Sequence, residues 1–554
     1  MDTQLASLTV EMERPRAWHA GASRDRLALL LLAVTMVVWT AGTVSYWSAY
    51  HGGVGPDSVT YLDAARSLAR GEGYAHRWAY WDPVYSDGTL PTHSSMWPAG
   101  LSLAIAAGIL VGFDAITAGR LIVLASFLGC AVLLFVWGRR WLSSAAALMA
   151  ATVAMAPAPH PTPDAAFIVS ELPFLVFATT ALVCSLRAIA DERSARWWAF
   201  ASTAAGASFL MRYVGLGALA AVCFLALLAL INKRATMRSI FAAALPGGII
   251  VAVTLIRNQI VSGHFGQPWP GADIFWPTLP GSAKSILSAL TRANEFDGAL
   301  RAVVLLKLAA LATLAGYAAV HLFWAIKGAR EAWLERFAPT IVLLCFAIFV
   351  SGLTLAATAM NGMNLEPRYI TVLVPWALAL IAAWALSVPA ARGAWLPWAA
   401  CAIWIFTEAG AAALAAGHST SNYVGQGANS QGIKWAQVNT APTETLFTNR
   451  GADLAFWTPN PVLRLPRLPH SAAAAHSVAG IDQLADRFGA HYFVYFRGYP
   501  EDEKYNREEF AFVRQFDNPG AFGDRVVAEF PDSIVYRVGT RSAATARAAI
   551  QEVR

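Results

Sequence analysis

The sequence predicts a mostly α-helical, polytopic membrane protein of about eleven transmembrane helices, followed by a small α/β domain. Three observations carry that prediction. Of the 554 residues, 56% are hydrophobic and only 14% are charged, where an ordinary soluble domain carries roughly 25% charged residues. Apolar runs of membrane-crossing length recur between residues 27 and 416, the pattern of a multi-pass membrane protein. Beyond that point the composition turns polar and helix-like and strand-like patterns alternate, as they do in α/β domains.

Residues 1–26 form a polar N-terminal segment carrying Arg14, Arg16, Arg24 and Arg26. The predicted spans follow at 27–47, 118–137, 141–156, 171–189, 197–211, 213–231, 239–256, 300–325, 338–358, 369–388 and 394–416. The first is too long for the apolar core of a signal peptide and lacks a small-residue cleavage site, so it reads as a retained span. With eleven spans, Arg139 and Arg140, the Arg187–Arg196 cluster, Lys233 to Arg238, Lys327 to Arg336, and Arg392 all share the side of the N-terminus. The positive-inside rule makes that side cytoplasmic. Counting the run from Met96 to Gly112 as a span would flip every later cluster, so it reads as a helix at, or dipping into, the outer interface.

The outer face then holds a first loop at 48–117, shorter loops at 157–170 and 257–299, and the domain at 417–554. In that domain the pattern predicts strands at 444–449, 490–497 and 532–538 and helices at 428–438 and 481–489. These assignments make the protein a multi-pass component of the inner (plasma) membrane, with a cytoplasmic N-terminus and a periplasmic or otherwise extracytoplasmic C-terminal domain.

The net charge is +6, but its distribution is that of topogenic clusters and implies no nucleic-acid partner. The five cysteines (Cys130, Cys184, Cys223, Cys345 and Cys401) all lie inside apolar runs. They give neither a disulfide framework nor metal-ligand spacing. The chain contains no GxxxxGK[ST] loop, no HExxH and no GxSxG, so ATP-driven chemistry and zinc hydrolysis have no support. No cofactor is assigned, and the pattern is compatible with a divalent cation.

Charges beside hydrocarbon are costly and therefore informative. Asp57 stands ten residues beyond the first span, in HGGVGPDSVTYLDAARSLARGEGY. The segment after it has helical spacing, with Val59, Leu62, Ala65 and Ala69 on an apolar stripe and Asp63, Arg66, Ser67 and Arg70 on the other side. Asp57 as a plain helix N-cap, worth about 1 kcal/mol, is the competing structural reading. A second acid, Glu171, opens a span after the Pro-rich loop that contains Asp164; acids also suit the first turn of a helix. On the same outer face stand His93, Arg212, Arg257 and Arg368, the last beside Tyr369. Arginine at a span end often only snorkels, but several together suit a phosphate, which their forked donors grip in bidentate fashion. The loop aromatics Tyr74, Trp78, Tyr80, Trp81, Tyr85 and Trp97 suit either sugar stacking or an interfacial belt.

These residues resemble the motifs of the GT-C superfamily of integral-membrane glycosyltransferases, in particular the bacterial branch similar to protein O-mannosyltransferases and lipid A aminoarabinose transferases. Four pieces between about residues 25 and 390 carry the likeness: Asp57 with Tyr61, Leu68 and Gly71-Glu72-Gly73-Tyr74; His93, Pro98 and Gly100; Ala118-Gly119-Arg120-Leu121 with Gly138-Arg139-Arg140; and Ser170-Glu171. The resemblance implies a sugar donor carried on a polyprenyl phosphate, a glycan, lipid or protein acceptor, and membrane lipid around the site. It implies that Asp57 is the general base and that Glu171 orients the acceptor or Asp57; His93, Arg212, Arg257 and Arg368 are candidates for phosphate contacts from their place on the outer face, with Tyr369 and Tyr61 as further substrate-binding candidates. Two departures from the mannosyltransferase pattern, Asp57-Ser58 for an Asp-Glu pair and His93 and Pro98 spread through THSSMWPAG, weigh against protein as the acceptor. The rival class is a polytopic transporter or lipid flippase, which would place ionisable residues near the middle of spans.

Overall fold

A computed structural model describes residues 22–49, 56–80, 90–93, 97–156, 168–191, 195–263, 265, 301–328, 333–360, 373–387, 395–418, 429–465, 478–497 and 515–539. The first outer loop contributes helix α2 (Pro56–Ala69), strand β1 (Trp78–Tyr80) and helix α3 (Gly100–Leu110). Around them stand α1 (Ala22–Ala49), α4 (Ala115–Gly138), α5 (Ser144–Met155), α6 (Glu171–Ala190), α7 (Ala195–Met211), α8 (Gly215–Ile231) and α9 (Met237–Ser262). The helical part closes with α10 (Arg301–Gly328), α11 (Trp333–Met360), α12 (Val374–Leu386) and α13 (Trp395–His418).

The chain is mostly helical, and α1 and α4 to α13 coincide with the eleven predicted segments. Among the described residues, five helices are long and apolar enough to cross a membrane, within α1, α4, α6, α9 and α11. Helix α6 is the most enclosed of these and α1 the least. Helix α3 has 11 residues and a length of about 16 Å at 1.5 Å per residue, half of a hydrocarbon core. Its flank presents Leu103, Leu110, Val111 and Phe113 as exposed apolar side chains.

The helices pack through small residues and satisfied polar groups, as bundles in lipid must. A Cβ on Gly206 would lie 2.9 Å from the Gly247 Cα, so α7 and α9 touch backbone to backbone. Pro246 lies inside the continuous α9, and the next amide, that of Gly247, donates to Ser202 Oγ on α7 at 2.9 Å. Two buried indole N–H groups likewise find acceptors across helices: Trp376 donates to Thr179 Oγ1 and Trp384 to Thr340 Oγ1.

Charge is not confined to helix ends. Lys307, about two turns into α10, and Glu408, about four turns into α13, form an ion pair at 2.6 Å with side chains 0% and 1% exposed. Hydropathy averaging hides both residues inside apolar runs.

The C-terminal region supplies α14 (Gln431–Asn439), β2 (Thr445–Thr448), α15 (Gly451–Trp457), β3 (Val462–Arg464), α16 (Val478–Phe488), β4 (Ala490–Phe496), β5 (Val526–Glu529) and β6 (Ser533–Arg537). The six strands form one sheet in the order β1-β3-β2-β4-β6-β5. Strands β1, β3, β2 and β4 are parallel neighbours, while β4–β6 and β6–β5 are antiparallel. One face is sealed by Phe447, Phe493, Phe516, Phe522 and Tyr536. The edge strand β1 comes from the first outer loop and pairs with β3 in the register Trp78↔Val462, Ala79↔Leu463 and Tyr80↔Arg464. The loop that carries Asp57 is therefore built into the C-terminal sheet.

Candidate active site

Helix α2 is the hub. Asp57 follows Pro56, the first helical residue, so it sits inside the first turn and not at the N-cap position. Its carboxylate still meets the positive end of the helix dipole. At 100° per residue, Asp57, Tyr61 and Ala64 share one face of α2, while Asp63, Arg66 and Arg70 share the opposite face.

The first face points at the start of α6. The buried Tyr61 hydroxyl donates to Ser170 Oγ at 3.0 Å. Ser170 is the N-cap residue of α6, yet its side chain caps no backbone amide; it also receives Arg212 Nη1 at 3.4 Å. Glu171, the next residue, pairs with Arg212 Nη1 at 2.5 Å, with side chains only 13% and 18% exposed. Burial pushes the Tyr61 phenol above its ordinary range, Arg212 and the Ser170 bond oppose that shift, and the Glu171 and Asp57 carboxylates add to it. Asp57, Tyr61, Ser170, Glu171 and Arg212 thus make one electrostatic neighbourhood.

A second group lies beside the first, centred on Tyr74. The Arg257 guanidinium stacks 5.1 Å from the Tyr74 ring centroid and donates to the Tyr74 carbonyl at 3.2 Å. His93 Nδ1 stands 3.4 Å from the same carbonyl. Asn258 receives another Arg257 donor at 3.1 Å and itself donates to the Tyr213 hydroxyl at 2.9 Å. Burial raises the Tyr74 phenol well above its usual range, Tyr61 and Tyr213 reinforce the shift, and Arg257 opposes it. The two groups are therefore neighbours, and His93, Tyr61, Arg212, Arg257, Glu171 and Asp57 converge. Arg368 and Tyr369 lie outside the described residues, as do Trp81, Tyr85 and Asp164.

Two glycines of the motifs permit this assembly. A Cβ on Gly100 would lie 2.5 Å from the Leu210 carbonyl oxygen, so the start of α3 presses on the last turn of α7, just before Arg212. A Cβ on Gly119 would lie 2.7 Å from Ile168 Cγ2, so α4 fits closely against the approach to Ser170 and Glu171.

The spacing marks the opposite face of α2 as the polar side of a membrane-surface helix. Asp63 and Ser67 are buried instead, Arg66 is half-buried, and Arg70 stays exposed. Asp63 is 0% exposed and accepts from Arg77 twice, from Nε at 2.9 Å and from the backbone amide at 2.7 Å. Arg77 Nη2 donates to the Ala455 carbonyl at 2.7 Å and Nη1 to the Thr458 carbonyl at 3.1 Å. Arg66 donates to the Phe456 carbonyl at 3.3 Å and lies over the Phe456 ring at 4.2 Å. Those three carbonyls belong to the C-terminal end of α15, where unpaired acceptors and the negative end of the dipole favour cations. No local pattern signals these contacts, because the partners lie almost four hundred residues away in sequence. Arg120, part of the Ala118-Gly119-Arg120-Leu121 motif, stands in α4. Its guanidinium stands over Trp47 at 5.6 Å, with Nε and Nη2 buried and unbonded. Among the described residues, no three His, Cys, Asp or Glu side chains gather as a metal site.

No family model and no curated protein matches this sequence. The fold, however, is shared with solved structures. The crystal structure of ArnT from Cupriavidus metallidurans bound to undecaprenyl phosphate superposes with a TM-score of 0.55 at 14% identity, covering 90% of this chain and 97% of that one. The apo form of the same protein gives a TM-score of 0.54 at 14% identity, covering 91% and 98%. Archaeal oligosaccharyltransferase AglB from Archaeoglobus fulgidus is a looser likeness, with a TM-score of 0.47 at 13% identity over 87% of this chain and 71% of that one. The chain shares the fold of these ArnT structures and is a multi-pass membrane protein.

Proposed function

We propose that this GT-C chain is an inverting glycosyltransferase that moves a sugar from a polyprenyl-phosphate donor to a glycan, lipid or protein acceptor at the outer face of the cell membrane. The observation that carries the reading is the convergence of Asp57 and Tyr61 with Ser170, Glu171 and Arg212, beside the Arg257–Tyr74–His93 group. The likeness to an ArnT structure bound to undecaprenyl phosphate supports a lipid phosphate as the donor's carrier. The charge pattern of the loops supports an extracytoplasmic site, a cytoplasmic N-terminus and an extracytoplasmic domain at 417–554.

In the reaction, the acceptor hydroxyl oxygen attacks the anomeric carbon from the face opposite the lipid phosphate. The bond between that carbon and the phosphate oxygen breaks, its electron pair leaves on the phosphate, and the configuration inverts. Asp57 takes the proton from the attacking hydroxyl, a contribution of typically about 10² to 10⁴ in rate. The phosphate gains charge as it leaves. Arg257, with Arg212 and His93 nearby, supplies the preorganised donors that stabilise such charge best in a partly dry site. Glu171, held by Arg212, sets the orientation of the acceptor. Arg368 and Tyr369 are assigned to the donor phosphate only from their place at the outer end of a predicted span.

The test uses membranes containing the Asp57→Asn variant, supplied with polyprenyl-phosphate-linked mannose, glucose and arabinose. A loss of about 10² or more in transfer rate is expected. An unchanged rate in folded protein overturns the reading. A lipid flippase is the second reading, and the buried Lys307–Glu408 pair is the observation on its side. It predicts flipping that survives Asp57→Asn, with no sugar transferred by either protein.

A further inference from the structure

The contacts on the far face of α2 have no place in the chemistry above, yet they bury charge, which is costly unless a defined geometry results. Asp63, fully enclosed, grips Arg77 through two bonds, and Arg77 spends its two terminal nitrogens on the carbonyls of Ala455 and Thr458. Arg66 adds a bond to the Phe456 carbonyl and a stacked contact with that ring. Strand β1 begins at Trp78, immediately after Arg77, and extends the sheet beside β3. Helix α2 is thereby held on two sides, by Ser170 on the face that carries Asp57 and by the end of α15 on the other.

We propose that Arg77 is a positioning residue for Asp57. It ties α2 to the C-terminal sheet and so keeps the carboxylate in the cluster of Tyr61, Glu171 and Arg212. The inference rests on the reading of Asp57 as the general base. The C-terminal region then acts as part of the catalytic frame, since a base displaced by about 1 Å loses much of its effect. Arg77 touches no reacting atom in this scheme; its influence runs through the backbone of α2.

The experiment is a double-variant cycle in the full chain, using the transfer assay with polyprenyl-phosphate mannose, glucose and arabinose. Arg77→Ala is expected to lower kcat by about tenfold to a hundredfold with KM for the donor within about threefold. In the Asp57→Asn background the same change is expected to alter the residual rate by less than about threefold, because a residue that acts only through Asp57 has nothing left to position. Multiplicative losses in the double variant, or full activity of Arg77→Ala, overturn the proposal. Wild-type transfer by Asp57→Asn alone instead overturns the reading of the base, which keeps the two failures apart. Should Arg77→Ala not fold, Arg66→Gln takes its place, with a loss of about threefold to tenfold and the same coupling. A readout without turnover runs alongside. Amide exchange in residues 58–69 of the Arg77 variant, or of Arg66→Gln in its place, is expected to quicken at least about tenfold while that of α6 stays unchanged. Unchanged exchange in α2 overturns the proposal.

Discussion

The Tyr61 hydroxyl donates to Ser170 Oγ at 3.0 Å, joining two residues 109 positions apart in the chain. The bond ties the Asp57 helix to the start of α6 and occupies a serine that would ordinarily cap that helix. Burial keeps the phenol protonated, so it remains a donor across the working pH range. Tyr61→Phe removes one buried hydrogen bond, and its cost to stability is expected to be about 1 kcal/mol. The transfer rate is expected to fall more steeply, by about tenfold, since α2 can then shift relative to Glu171. Unfolding midpoints and single-turnover rates measure the two effects. Equal rates for variant and wild type would disconnect this bond from the reaction.

Glu171 and Arg212 form a close, largely enclosed pair that also engages Ser170. Glu171→Gln leaves the Arg212 charge without its anion, and Arg212→Gln leaves the carboxylate without its cation. Each single change is expected to cost about 1.5–3 kcal/mol. The double variant is expected to recover most of that stability, because neither charge is left stranded. Transfer should stay low in all three, since the orienting carboxylate or its holder is gone. A double variant that regains transfer along with stability would reduce the pair to a structural staple.

The helical part of this fold is legible in the sequence because a bilayer demands long apolar runs, and the eleven runs between residues 27 and 416 coincide with α1 and α4 to α13. Glu171, Arg212 and Arg257 are legible as candidates because each stands near the end of an apolar run, while Tyr61 enters only through the family resemblance. Their pairing is not legible, since Tyr61 finds Ser170, and Arg257 finds Tyr74, only through packing. Strand β1 is hidden for the same reason. Three residues, Trp-Ala-Tyr, in an aromatic loop carry no strand signal until β3 lies beside them. Asp63 and Arg66 misled by local pattern: their spacing marks a polar face, but whether water or a distant helix end covers that face is a tertiary fact.

His76 gives a pH dependence with a definite sign. It is 2% exposed, packed near Tyr74, Trp78 and Trp97, and its backbone bridges to Thr92 in both directions. Burial pulls its pKa from 6.5 down to about 4; Asp63 and the Thr60 backbone oppose the shift, while Arg257 and His93 add to it. The unfolded chain therefore binds the proton more tightly than the folded one. The stability this contributes is present above pH 6.5 and is lost as the pH falls towards about 4. Between pH 7.5 and 5 the loss from this residue is expected to be about 2 kcal/mol. His76→Phe should flatten that part of the stability profile. Unfolding midpoints at the two pH values check it, and parallel profiles for the two proteins would refute the assignment.

Lys307 and Glu408 offer the sharpest separation between a staple and a working group. Their ion pair is closed to solvent, and the Lys307 ammonium also stands 5.2 Å from the Trp404 ring centroid. Removing one partner leaves a single charge in a dry helix interface, so Lys307→Met or Glu408→Leu is expected to destabilise by about 3–5 kcal/mol. Replacing both, Lys307→Met with Glu408→Leu, strands no charge and is expected to be neutral or stabilising by about 1–4 kcal/mol. The proposed sugar transfer does not route a proton through this pair. The double variant should therefore keep its transfer rate within about twofold. Thermal unfolding in detergent and the transfer assay together decide the matter. A stable double variant that has lost transfer would make the pair part of the mechanism, and would move the weight of evidence towards a lipid-moving step between α10 and α13.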